Sequence, residues 1–222
     1  MKADLCIPVF AFAGLSMIFA FAEVAIRLDT EGPNYDAISH IAECLQQNVG
    51  ITTVVRTYRE DIERSWAGEL INLNSDEDFY WLATSGLVFT HEKMLHDLID
   101  LHERRKEWNN ACHHALNTLL RATQILMWRQ QNHYTVHLIN AWPSNLALEF
   151  WQLLDSRRPI ALMIMAYFAA LASLRPNLWW FQRWPQILLR EITARLGEEW
   201  KEALAWPTQM IIDPQINRGQ LA

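Results

Sequence analysis

Pro159-Ile160-Ala161-Leu162-Met163-Ile164-Met165-Ala166-Tyr167-Phe168-Ala169-Ala170-Leu171-Ala172-Ser173-Leu174 decides the fold of this chain. Proline suits the first turn of a helix, and no glycine interrupts the fifteen residues behind it. Tyr167 and Ser173 alone carry polar side-chain atoms. A helix apolar on every side is enclosed by protein or lies in a membrane. At 1.5 Å per residue this one reaches about 24 Å, short of a bilayer core, so it is expected to be buried in protein. Arg175-Pro176 stops it, because a residue before proline is pushed out of the α region.

Tryptophan frames this helix. Seven of the eleven tryptophans fall between Trp142 and Trp206, in Trp142-Pro143, Trp179-Trp180, Trp184-Pro185 and Trp206-Pro207 among others. Each indole buries a wide flat surface and keeps one N–H that needs an acceptor. They either fill the core or wall a hydrophobic pocket. The candidate ligand-binding residues are Trp142, Met163, Tyr167, Trp180 and Trp184, with Met165 and Phe168 as further lining. Trp179 and Trp180 are neighbours and cannot both point the same way, so one core and one pocket indole are expected.

The flanking chain also reads as helix. Helices are expected from Pro8 to Arg27 and from Tyr35 to Gln47, separated by the Glu31-Gly32-Pro33-Asn34 turn and closed by Asn48-Val49-Gly50. Ile51, Val54, Val55, Tyr58, Ile62 and Trp66 follow a helical stripe. Residues 68–78 read as a loop with Ser75 or Asp76 as a cap, and 79–89 stay open between helix and strand. Further helices are expected over 91–107, over 108–128 with Ala111, Ala115, Leu116, Leu119, Ala122 and Ile125 buried, and over 146–154. Pro185 starts a last long helix carrying Leu188, Ile192, Leu196, Trp200 and Leu204 on one face. Beyond Pro207 the chain is expected to fray. The fold class is therefore all-α, an irregular helical bundle around the 160–174 helix.

Composition narrows the chemistry. The chain has 222 residues, 51% of them apolar, and a formal net charge of −6. That argues against the basic surface that phosphate neutralisation requires, so no direct nucleic-acid binding is expected. Cys6, Cys44 and Cys112 form neither a disulfide framework nor a zinc pattern. His133 and His137 stand at metal-ligand spacing but without an H-E-x-x-H glutamate, and the other histidines of residues 91–137 read as solvated or hydrogen-bonded. Cys112 and His113 are adjacent and point apart on a helix. Glycine-rich phosphate loops and nucleophile elbows are missing from the sequence, so no metal, cofactor or catalytic residue is expected. Residues 7–22 are apolar but preceded by Asp4 and a single cation, Lys2. A core helix is the expected reading, with no membrane span because the run is shorter than about 20 residues, and a signal or membrane-associated segment is the alternative.

The run Ala141-Trp142-Pro143, Leu154, Arg158 to Leu162 leading into Met165-Ala166-Tyr167, then Trp179-Trp180, Trp184, Glu199-Trp200 and Ala205-Trp206-Pro207 resembles the C-terminal regulatory region of fungal binuclear zinc-cluster transcription factors, sterol uptake control type. The likeness is specific from about Val136 to Ile212 and looser upstream. It implies an all-α ligand-sensing domain with a sterol-like ligand and a role in transcription. The six-cysteine basic segment of that family is not in this sequence. The resemblance thus implies a regulatory-type domain over 1–212, truncated at its N-terminus relative to the family, with a frayed tail over 213–222. It would bind a hydrophobic small molecule, sterol- or terpenoid-like, or a partner such as a second copy or a full-length relative, in the nucleus or cytoplasm. Two alternatives stay open: an enzyme of secondary metabolism using an apolar pocket for cyclisation or isomerisation, and a pure interaction module.

Overall fold

The computed structural model describes residues 6–32, 35–66, 91–128, 139, 142–174 and 178–212, and these are helical with no strand. The loop expected over 68–78, the open stretch 79–89, His133, His137 and the tail 213–222 lie outside the described residues.

Helix α1, Cys6–Glu31, is longer at both ends than its apolar run suggested. Met17, Phe21 and Val24 bury one face of it, while Phe12, Leu15, Phe19 and Ile26 stand exposed on another. At 26 residues it is, among the described residues, the one helix long and apolar enough to cross a membrane, so the length argument against a span fails. Gly32 ends it in the left-handed conformation, at φ 64, which a side chain would strain.

Helix α2, Ala37–Thr57, lies along α1. The Asp36 carboxylate starts it by accepting from the Ser39 amide at 3.0 Å. It runs through Asn48-Val49-Gly50, where the sequence suggested a stop. A glycine ends a helix when it turns left-handed, and Gly50 lies inside the helix, which continues to the kink at Tyr58. The stripe from Ile51 to Trp66 is therefore split. The short α3, Arg59–Glu63, seals Ile62 against Ile7, Phe10 and Tyr58, and leaves Trp66 exposed.

Next in the chain come helices α4, Glu92–His102, and α5, Lys106–Trp128. The six apolar residues expected to be buried on α5 are all buried. Glu103, between the two helices, is 1% exposed, and the Arg158 guanidinium meets its carboxylate at 3.1 Å. A carboxylate out of water needs such a partner.

Helices α6, Leu148–Asp155, and α7, Pro159–Ser173, form the centre. Their link carries Arg157 at φ 55, a left-handed conformation that costs a non-glycine residue about 1–2 kcal/mol. The Arg157 guanidinium bonds Asp36 at 2.6 Å and also Ser39, tying this turn to the start of α2. Every residue of α7 from Ile160 to Ser173 is buried, as its composition required, and α4, α5, α6 and the last two helices close around it.

Helix α8, Trp184–Arg195, has Pro185 in its first turn but stops earlier than expected. Leu196 and Gly197 are extended, and a tight turn over 198–200 precedes α9, Ala205–Ile212. The expected stripe Leu188, Ile192, Leu196, Trp200 and Leu204 is buried nonetheless, shared by α8, the 198–200 turn and the links beside them instead of one helix. Pro207 does not start a frayed end. It sits in the first turn of α9, where a missing N–H costs no helical bond, and Pro207, Met210 and Ile211 are buried. One apolar cluster runs from Met17 to Ile211.

Candidate functional site

Phe168, halfway along α7, is the centre of a column of stacked rings. Trp142 lies on one side at 4.7 Å between centroids and 20° between planes, and Trp184 on the other at 5.8 Å and 25°. Phe21 of α1 continues the stack beyond Trp184 at 5.1 Å and 20°. Edges close the column: Phe150 meets Trp142, and Phe181 meets both Phe21 and Trp184. Four segments distant in sequence thus supply one aromatic wall, each ring pair adding about 0.5–1.5 kcal/mol beyond its buried area.

The indole N–H groups in this wall are treated unequally. Trp142 Nε1 donates to the Ala115 carbonyl at 2.9 Å and is satisfied. Trp180 Nε1 and Trp184 Nε1 are buried with no acceptor among the described residues. Trp184 as a whole is 1% exposed. A buried donor without a partner costs about 1–3 kcal/mol, and two within five residues of each other form a local concentration of that cost. Chemically, the site is a packed aromatic column beside two unpaired indole donors, and such donors call for a carbonyl or hydroxyl oxygen.

The five sequence-derived candidates divide into two groups. Trp142 and Trp184 meet through Phe168, and Trp180 joins them through Phe181 at 6.1 Å. Tyr167 is buried on a different side of α7, donating to the Ala203 carbonyl at 3.1 Å and stacking on Trp206 at 5.3 Å. Met163, one turn earlier on that side, is fully buried. Trp179 and Trp180 point apart, but not as the expected core and pocket indoles: Trp179 is 60% exposed to solvent and Trp180 packs against the core. Phe21 had no local signal in the sequence, since it reaches the column from a helix more than a hundred residues away.

Polar clusters lie elsewhere. His113 Nε2 donates to Asp100 at 2.8 Å, which leaves its Nδ1 to accept from His96 Nδ1 at 2.6 Å. His114 Nε2 donates to the Asn145 carbonyl. His96, His113 and His114 are thus hydrogen-bonded, the His102 ring lies against Trp200, and among the described residues no three His, Cys, Asp or Glu side chains gather to hold a metal. Cys112 is buried away from His113, and burial pushes its thiol up to about 12. Burial likewise raises Cys44 to about 12 and moves the Tyr167 hydroxyl well above its ordinary value.

The class that fold and site define is an all-α protein with an aromatic, donor-bearing core wall. Over 96 residues the chain is 28% identical to a Zn(2)-C6 fungal-type transcription factor of Gibberella zeae, a stretch covering 41% of this chain and 19% of that protein. That likeness supports a broad relationship to the zinc-cluster transcription factors and a transcription-regulator-like character, over about a fifth of the relative's length. No family model matches the chain, and no solved structure matches it.

Proposed function

We propose that residues 1–212 act as a single regulatory-type domain that takes up a hydrophobic small molecule, sterol- or terpenoid-like, and modulates gene expression in the nucleus without contacting DNA itself. The transcriptional part rests on the likeness to the Gibberella zeae factor. The ligand part is carried by one observation: two buried indole donors, Trp180 Nε1 and Trp184 Nε1, beside the Phe168 column without acceptors among the described residues. A ligand oxygen would satisfy them, and the apolar side chains around the column would surround its body. The continuous apolar cluster from Met17 to Ile211 supports one domain, and the net charge of −6 disfavours phosphate contacts.

Titrating the purified chain with a panel of sterols and terpenoids, followed by tryptophan fluorescence and calorimetry, tests the reading. Saturable binding is expected for ligands bearing an oxygen, with deoxygenated analogues weaker. Trp184→Phe keeps a stacking ring and removes one of the two donors, so it should weaken that preference for oxygen. No saturable binding across the panel would sink the ligand reading. A fusion to an unrelated DNA-binding domain that leaves a reporter gene unchanged would sink the regulatory one.

A further inference from the structure

We infer that α1 is the seam of an antiparallel homodimer, in which a second copy of this chain covers Phe12, Leu15, Phe19 and Ile26. These four side chains are 73%, 67%, 70% and 61% exposed, in a protein whose other apolar helix is wholly enclosed. With Ala22 they fall at residues 12, 15, 19, 22 and 26. That alternation of three and four is the a/d repeat of a helix-pair seam, narrower than the face a helix turns to its own core. The core-facing residues Met17, Phe21 and Val24 are already engaged, so the seam is a second, unmatched face.

Size and charge fit a copy of the same helix. The four exposed side chains offer on the order of 500 Å² per copy, so a two-fold pair reaches the ~1,000 Å² at which a specific interface begins. Ala11 and Ser16, which flank the seam, are small and let a second helix come close. All described charges of α1 sit in its last turns: Glu23, Arg27, Asp29 and Glu31, net negative. Parallel pairing would place two such ends side by side. Antiparallel pairing sets each against the uncharged start of the other helix and opposes the two dipoles favourably. It also matches sizes, with Phe19 of one copy against Leu15 of the other, and Phe12 against Ala22. The same patch serves both copies, so the assembly closes at two. A membrane surface fits less well, because Arg27, the one described cation of α1, is bonded to Glu23 and Glu31 instead of facing anionic headgroups.

Sedimentation equilibrium of the full chain at micromolar concentration should give twice the 26.0 kDa chain mass. Phe19→Glu and Leu15→Glu should each raise the dissociation constant at least ~100-fold, because the seam would bury unpaired carboxylates. Their circular-dichroism melting, measured on the monomer, should be unchanged, since both sites are exposed within the protomer. A nitroxide at Thr30→Cys, in a Cys6→Ser background, should report about 40 Å between copies, from the 1.5 Å rise along two opposed helices. A separation under about 20 Å would overturn the antiparallel arrangement. Monomeric wild-type protein, or dimers that survive both charge substitutions, would overturn the seam. So would a monomer that binds phosphatidylcholine–phosphatidylserine vesicles through Phe19.

Discussion

Helices α1 and α7 are the two most apolar of the described helices longer than ten residues, yet they end in opposite circumstances. α7 is surrounded on every side, with each residue from Ile160 to Ser173 buried. α1 lies over α2, α8 and the 179–181 turn with one face and leaves four large apolar side chains in the open. An apolar helix therefore announces that it needs cover, and the number of neighbours decides how much it receives. The difference also sorts what a substitution can do, because burial within the protomer governs the cost at one helix and solvent or a partner governs it at the other.

The largest effects are expected on α7. Met163→Asp or Ala166→Asp would set a carboxylate on a helix buried on every side. The cost of several kcal/mol, against a total stability of about 5–15, should abolish soluble expression. Either variant folding with an unchanged melting temperature would erase the contrast between the helices.

The aromatic column comes next. Trp184→Ala should cost about 3–5 kcal/mol in urea unfolding, because it opens a cavity between Phe21 and Phe168. Trp179→Ala, at a 60% exposed ring, should stay within about 0.5 kcal/mol. Equal losses would mean that the two indoles share one environment, against the packing described.

A smaller, pH-dependent effect is expected where α2 begins. Burial works to raise the Asp36 pKa, but hydrogen bonds from the Ser39 amide and hydroxyl and from Arg157 outweigh it and hold the carboxyl below the ordinary aspartate range. A depressed folded-state pKa contributes stability that is present above the unfolded value, near 3.9, and is lost as pH falls through the folded one. Asp36→Ala should therefore cost about 1 kcal/mol at pH 7, as a lost cap does, and less as the pH approaches 2. A difference from wild type that is flat with pH would assign the loss to packing. Glu191 has the opposite sign. Burial first, then the Asp36 charge, raises its pKa, so acidification relieves its cost.

The smallest change should come from Phe12→Ser on α1. Measured at protein concentrations too low for pairing, its stability should stay within about 0.5 kcal/mol of wild type. A loss of several kcal/mol there would mean that this face is covered within the protomer after all.

Periodicity and composition made the helical class legible, along with the burial of α7 and the buried stripe of α5. Helix ends were the weaker part. Gly50 looked like a stop, yet a glycine ends a helix when it turns left-handed, and α2 continues through it. Pro207 looked like the end of order, but a proline in a first turn forfeits no helical hydrogen bond. The apolar spacing from Leu188 to Leu204 was real as a set of buried positions, although one helix does not carry it, because a burial pattern does not record where the backbone bends.

For the candidate site, the sequence by itself determined that several tryptophans and an apolar helix must meet, since so much apolar surface has nowhere else to go. Only the tertiary structure decided which indoles are satisfied. Trp142 finds the Ala115 carbonyl 27 residues away, whereas Trp180 and Trp184 find no acceptor among the described residues. It also decided that Phe21 completes the column and that Tyr167 belongs to a different side of α7. Hydrophobic burial is non-directional and can be read from residue types along the chain. Hydrogen bonds and ring stacking depend on angles and distances between remote segments, which exist only after the chain has folded.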